Sequence, residues 1–498
     1  MKLIHICLAM KIRLLSFLLL VVAAQAAPRV WTDVNGRRVT GEFISVDPGN
    51  VIVLNVGGRS YAFPLNRLSP QDQAYARQLA AARTVAAPGH LSGSPNSAGA
   101  GDWPRWRGPH ADGVSRETGL LKQWPSGGPR KLWTTTNLGR GYSSVVVAAN
   151  LVFTLGESGG ATSMHAVDRA SGKRKWSTPI GGGGANGTPT FDPETGHVYG
   201  ISKNGDLACL RASDGKLVWK IQFERDFGGK MMSGWGYSES PLVDGPILLC
   251  SPGARDAAII ALDKRTGRAI WKAPFPSGMG SKGKDGAGYG SIAIASPGGA
   301  KQYVQMTGRG LLAVEARTGK PLWHYNKIAN GTANVPSPVV HGDRIFASTG
   351  YGDGGSALLQ ISRAGVKEVK YWTAGELQNH HGGMVLLEGH IYGGHGHNKG
   401  EPFCLDMRSG RILWKVDDPA VRKMKSASFT CADGQLYVRY ENGTMKLIDA
   451  STRGYQEKGS FKIPDDTRNS WQHPVVAGGK LYLRAPDALH CYNVSTRG

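Results

Sequence analysis

The sequence is poor in what would brace a small disulfide-built domain or hold a thiolate metal centre. Of 498 residues only six are cysteine. Cys7 lies in the leader described below, and Cys209, Cys250, Cys404, Cys431 and Cys491 remain. That number is odd, and no two are adjacent or spaced Cys-x-x-Cys. A disulfide framework, a thiolate zinc site and an attached haem are therefore not indicated, and the five read as small buried hydrophobes. Charged residues make up only 19%, too few for a disordered polyelectrolyte. No Ser-His-Asp order, catalytic carboxylate pair or phosphate-cradling loop stands out. Gly181 to Gly184 is a glycine run without the lysine of a phosphate loop. Apart from one short run near the start, no segment is apolar enough to cross a bilayer.

What is present is glycine, at 70 positions, with 27 prolines, 13 tryptophans and 16 tyrosines. Turn formers beside large aromatics indicate an all-β, turn-dense chain and exclude a helical bundle. Lys11 and Arg13, the apolar run Leu14 to Ala23 and the small-x-small site Ala24-Gln25-Ala26 read as a signal peptide over 1–26, with Met10 as an alternative start. The run is about ten residues, half of what a span needs. The expectation is an exported chain, secreted or periplasmic, with no transmembrane span in its mature form. Its formal charge is +22, and +19 once Lys2, Lys11 and Arg13 leave. This balance suits acidic partners, envelope proteins or an anionic polysaccharide, whereas export argues against nucleic acid. The densest basic cluster is only Lys173 to Lys175, so a diffuse solvated basic surface is the simpler reading.

Residues 27–79 form a first unit. Val30 to Asp33, an Asn35-Gly36 turn and Val39 to Val46 read as a hairpin. Val51 to Leu54 and Tyr61 to Leu65 supply two more strands. Ser69 caps a helix through Gln78 that has Pro70 at its first position. The Arg29-Val30-Trp31-Thr32-Asp33 opening and the Pro64-Leu65-Asn66-Arg67-Leu68-Ser69 close resemble the SLA-type homology domain, a small SH3-like barrel. Residues 80–100, almost all small or polar, read as a flexible linker.

From residue 101 the chain repeats. Asp168 and Gly172 lead to Trp176, Asp263 and Gly267 to Trp271, Glu315 and Gly319 to Trp323, and Asp406 and Gly410 to Trp414. Arg211 and Gly215 lead to Trp219 in the same frame. Degenerate copies end at Trp372 and Phe461, and Trp133 has the last strand without its preceding turn. From Trp133 to Phe461 the intervals are 43, 43, 52, 52, 49, 42 and 47. Four short strands per such unit is a propeller blade. Inner strands near 144, 188, 240, 291, 336, 382, 427 and 473 give an eight-bladed β-propeller over 101–498. Its last blade borrows its fourth strand from Leu132 to Thr134.

These Asp-x-x-x-Gly-x-x-x-Trp repeats resemble the pyrroloquinoline-quinone (PQQ)-type propellers, which include quinoprotein dehydrogenases and outer-membrane assembly factors. Trp103 to Pro109, Gly141 to Ser144, Asn379 to Gly383 and Gly393 to Asn398 are similar to hallmarks of exported bacterial PQQ-binding-like repeat proteins. The resemblance implies the fold over 103–498. For function it implies two classes: a non-catalytic binding or assembly scaffold of the cell envelope, or a PQQ- and calcium-dependent alcohol or sugar dehydrogenase. The adjacent-cysteine disulfide of those dehydrogenases has no counterpart here. Trp235, Glu239 and Asn334 are the expected cofactor-binding residues, with Asp353 as a base.

In a propeller, inner-strand starts and second-strand ends meet at one funnel. That face is expected to gather Tyr142, Ser143, Tyr237, Tyr289, Tyr351, Asn379, His381, Trp471 and His473, a mixture suited to a small molecule or sugar. A turn at Glu388-Gly389 pairs positions whose numbers sum to 777, so His380 faces His397 with His395 two residues away on the same face. These three are the expected ligands of a zinc-like metal. The alternative role for them is hydrogen bonding to the glycine-rich loops.

Overall fold

The computed structural model describes residues 29–46, 51–56, 59–76, 101–464, 466 and 469–497. The expected signal segment over 1–26, the expected linker over 80–100, Gly57-Gly58 and the expected helix end at Gln78 lie outside them. The chain divides into two compact units, Met1–Pro88 and Gly89–Gly498.

In the first unit, strands Arg29–Thr32, Arg38–Val46, Val51–Val56 and Arg59–Pro64 pair in chain order as an antiparallel meander. Gly36, with φ at +77°, makes the first turn. Trp31 is fully buried, and its indole N–H donates to the Gly41 carbonyl at 2.9 Å. Asp72 on the closing helix ties the unit together: it pairs with Arg29 at 2.6 Å and accepts from the Thr32 amide at 2.7 Å. The Ser69 hydroxyl accepts the Asp72 amide, the cap expected of a serine before Pro70.

The second unit is an eight-bladed propeller. Blade 1 comprises Val146–Ala148, Leu151–Ser158, Ala161–Asp168 and Arg174–Gly182, and the later blades repeat this inside-to-outside order. Blade 8 consists of Val475–Ala477, Lys480–Arg484 and Leu489–Asn493. Its outer strand is Lys131–Thr135, with Trp133 opposite Cys491. The two ends of the unit thus close one sheet, so the ring has no seam where a blade lacks its outer strand. The core lies between blades: Phe153, Met164 and Ala166 of blade 1 meet Phe191, Val198 and Ala208 of blade 2.

The repeat motif explains its own residue choices. Asp168 Oδ1 accepts from the amide and hydroxyl of Ser171, each at 2.8 Å, and the Gly172 amide returns to the Asp168 carbonyl. Glycine is required twice over at the fifth position. Gly215 has φ at +73°, and a Cβ there would lie 2.7 Å from the Trp176 indole of the preceding blade. The Trp176 and Trp414 indoles then donate to carbonyls of the next blade, Ala212 and Ser451. The five cysteines are free and buried.

A second device links inner strands. The His473 amide donates to Ser144 Oγ, Ser144 to Thr188 Oγ1, Thr188 to Ser240 Oγ, Ser240 to Ser291 Oγ, and Ser291 to Ser337 Oγ, at 2.7–3.1 Å. This belt runs from blade 8 to blade 5 around the axis and stops at blade 6, where Gly383 has no hydroxyl. It also explains why the inner strands of blades 1 to 4 and 8 begin two residues later than expected, whereas that of blade 7 begins at Ala427 as expected. The amides at those positions bond across blades rather than along a ladder. Among the described residues no helix is long and apolar enough to cross a membrane.

Candidate functional site

The hallmark segment Trp103 to Pro109 crosses the propeller axis. Trp103 pairs with Val147, the Pro104 carbonyl accepts from Phe191, and Arg107 donates to the Met384 carbonyl at 3.0 Å. It continues into Val114–Ser115, which adds a parallel fifth strand beside Cys431 of blade 7. These contacts reach blades 1, 2, 6 and 7, so the segment lies across the inner strands and contributes Trp106 to an axial cavity.

That cavity has a volume of about 240 Å³. Six of the nine expected funnel residues line it: Tyr142, Tyr289, Tyr351, His381, Trp471 and His473, together with Trp235. The aromatic rings form a continuous wall. Tyr142 and Trp471 stack at 4.4 Å, His381 lies 4.4 Å from Trp471, and Trp106 meets His473 edge-on at 4.4 Å. Trp235 stands edge-on to Trp471 at 6.5 Å and is 52% exposed. The belt hydroxyls of Thr188, Ser240, Ser291 and Ser337 form part of the lining, as does Lys203.

The other three funnel residues are structural. Ser143 Oγ accepts the Leu155 amide, the Tyr237 hydroxyl donates to the Pro252 carbonyl, and Asn379 bridges the Gly382 amide and the Gly394 carbonyl. All three are buried.

The wall carries no charge from its histidines. Burial depresses His381 well below the usual imidazole range. Burial, reinforced by Arg107, lowers His473 to about 3, and burial beside His397 does the same to His380. Burial, with Glu441 adding to it, raises the Tyr142 and Tyr351 hydroxyls. Several donors and acceptors here are buried without a hydrogen-bond partner among the described residues: Nε1 of Trp106 and Trp471, Nδ1 of His381 and Nε2 of His380. Such atoms cost free energy unless a ligand or water completes them.

The expected metal triad does not assemble. The predicted register is present, Met384 opposite Gly393 and Leu387 opposite His390, with Glu388 and Gly389 both at positive φ. The His380 and His397 rings approach to 4.2 Å. His397 Nδ1 donates to the Gly350 carbonyl at 2.7 Å, and His380 Nδ1 bonds Ser426 Oγ at 2.6 Å. His395, however, sits in the strand opposite Glu401, and its Nδ1 accepts the Gln378 amide. The strand ends there, and Gly396 at φ +90° turns the chain, so the alternating pleat does not extend to His397. Among the described residues no group of three ligating side chains could hold a metal.

The expected quinone and calcium residues are likewise dispersed. Glu239 is buried outside the cavity lining. Its Oε1 accepts the Ser251 amide at 2.5 Å and its Oε2 the Gln305 side chain at 3.2 Å. Burial raises its carboxyl to about 8, against the pull of the Ser251 bonds. Asn334 is fully buried, donating to the Thr307 and Gly308 carbonyls while its Oδ1 accepts from Asn330. Asp353 is 68% exposed and paired with Lys282 at 2.9 Å, which holds its carboxyl below the usual range. Only Trp235 faces the cavity. Glu239 is held by Ser251 and Gln305, Asn334 has every polar atom engaged and Asp353 pairs with Lys282, so none of the three offers a free ligand atom to a calcium-quinone site at the cavity.

Sequence reasoning did not identify Trp106 or Lys203. The Lys203 stem passes over Gly236, where φ is +76° and a Cβ would lie 2.2 Å from Lys203 Cγ. The Tyr237 amide donates to the Lys203 carbonyl, and the Lys203 amide to that of Gly184. The lysine is thereby aimed by two flanking loops.

The family model described as outer membrane protein assembly factor BamB matches residues 160–416, just over half of the chain. Tetrathionate hydrolase of Acidithiobacillus ferrooxidans is 27% identical over 244 residues, 46% of this chain and 44% of that one, so the chain spans less than half of that relative's length. BamB from Moraxella catarrhalis superposes with a TM-score of 0.52 at 13% identity, covering 73% of this chain and 99% of that one. A europium-containing methanol dehydrogenase gives a TM-score of 0.57 at 12% identity, over 77% and 89%. Quinohemoprotein alcohol dehydrogenase from Comamonas testosteroni gives 0.54 at 14%, over 84% of each chain. At these identities the superpositions show the fold alone.

Proposed function

The chain belongs to the family described as outer membrane protein assembly factor BamB, and from that premise we propose that it is a non-catalytic binding or assembly scaffold of the bacterial cell envelope. In this reading it reaches the envelope through the signal segment over 1–26. The observation that carries the proposal is the contrast within the funnel. A 240 Å³ aromatic cavity is present, while Glu239, Asn334 and Asp353 are each committed elsewhere. Binding needs only the former, whereas quinone chemistry needs the latter gathered at one point.

A PQQ-dependent alcohol or sugar dehydrogenase is the second reading, favoured by the aromatic cavity and by the fold shared with two dehydrogenases. A dye-linked assay separates the two. Purified protein supplied with PQQ and calcium is offered a panel of primary alcohols and aldoses with an electron-accepting dye. The scaffold reading predicts no substrate-dependent dye reduction above the protein-free blank. Sustained turnover would replace it with the dehydrogenase reading.

A further inference from the structure

We propose that the axial cavity and the groove leading from it hold an acidic oligosaccharide, an inference that rests on the binding reading above and names its ligand class. A groove of about 930 Å³ opens beside the cavity and shares Tyr142, Asn186 and Lys203 with it. An aromatic cavity joined to a larger groove suits a chain molecule, with one unit seated in the cavity and others in the groove.

The walls fit sugar rings. Half-exposed Trp235 and the face of Tyr142 turned away from Trp471 suit the C–H face of a pyranose, with Trp471 backing Tyr142. Asn186 and Ser238 in the lining supply polar groups beside them. The charge is also suited to an acid. Lys203 and Arg140 line the groove, and neither is in an ion pair among the described residues. Glu157 and Asp487 also line the groove and balance its formal charge there, whereas Lys203 is the one lysine, arginine or carboxylate lining the cavity among the described residues. The chain's formal charge of +22 adds a long-range field of the same sign.

A peptide strand fits less well. The Arg140 and Glu157 backbones pair with each other in both directions, and the Tyr142 amide is taken by the Ala185 carbonyl. The groove therefore offers no open strand edge for β-addition.

Calorimetry and tryptophan emission with a galacturonic acid hexamer, its monomer and neutral maltohexaose test the proposal. The acidic hexamer should bind saturably, at least tenfold tighter than its monomer and than maltohexaose, and more weakly as salt rises. Trp235→Ala and Lys203→Gln, both at solvent-accessible positions, should each weaken it about tenfold while leaving the melting temperature unchanged. Absence of saturable binding, equal affinity for maltohexaose, or unchanged affinity in both variants would overturn the proposal. The binding-scaffold reading stands or falls separately, on the dye-linked assay.

Discussion

Mild acid should destabilise this propeller before most of its carboxylates are protonated. His165, His380, His395 and His473 are each at most 8% exposed. Burial is the first cause in every case, lowering His165 and His395 to about 4 and His380 and His473 to about 3. In the unfolded chain a histidine takes up its proton near pH 6.5. Between that value and the folded one, the unfolded state binds more protons, so stability is fully present above pH 6.5 and falls as pH drops toward 3. At pH 5 each group costs about 2 kcal/mol relative to pH 8, and the four together about 8 kcal/mol. Glu239 runs the other way: burial raises its carboxyl to about 8, so the folded state takes up that proton first and regains about 3–4 kcal/mol over the same range. With an unfolding entropy of about 2.1 cal/mol/K per residue over roughly 400 residues, the net of about 4–5 kcal/mol lowers the melting temperature by about 5 °C. Differential scanning calorimetry from pH 8 to pH 5 reads it, and His473→Asn should remove about 2 °C of the fall. A melting temperature that changes by less than about 2 °C over that range would refute the reasoning.

Other perturbations follow from the same contacts. Deleting residues 129–136 removes the strand opposite Leu489–Asn493 and should abolish cooperative melting, whereas deleting 27–98 should leave the propeller transition in place, as calorimetry of both truncations would show. Gly215→Ala places a Cβ 2.7 Å from Trp176 at φ +73°, and denaturant titration should show a loss of at least about 1–2 kcal/mol. Ser240→Ala leaves the Thr188 amide without its acceptor and should cost about 1–3 kcal/mol by the same titration. Arg439→Met strands Asp466, its partner at 2.7 Å with both side chains fully buried, for a loss of about 3–5 kcal/mol.

The repeat made the fold legible because one turn solves two problems at once. Gly172, Gly215, Gly267 and Gly319 each close a hairpin and seat the indole of the preceding blade, so a single spacing records both strand order and blade contact. Closure through Trp133 was readable for the same reason. The site was legible only where position along an inner strand decides placement, as for Tyr142, Tyr289, Trp471 and His473. Trp106 escaped because its segment crosses the axis by long-range contacts with no periodicity of its own. Lys203, in a turn of blade 2, reads as a solvated lysine until Gly236 is seen to lie beneath its stem. His395 was misplaced because the pleat assumed to continue to His397 ends at Gly396. Glu239 and Asn334 each sit in sequence between two residues that line the cavity, Ser238 and Ser240 and Ala333 and Val335. Their side chains, however, turn to blade amides and carbonyls, a choice set by unsatisfied backbone groups that no spacing reveals.

The central claim is that the axial cavity binds an envelope component. The most direct measurement immobilises the wild-type chain beside the Trp235→Ala, Lys203→Gln double variant, passes solubilised envelope material over both and quantifies what each retains. Saturable retention by the wild type and its loss in the double variant, with the melting temperature unchanged, is the expected result. Equal retention by the two proteins would contradict it.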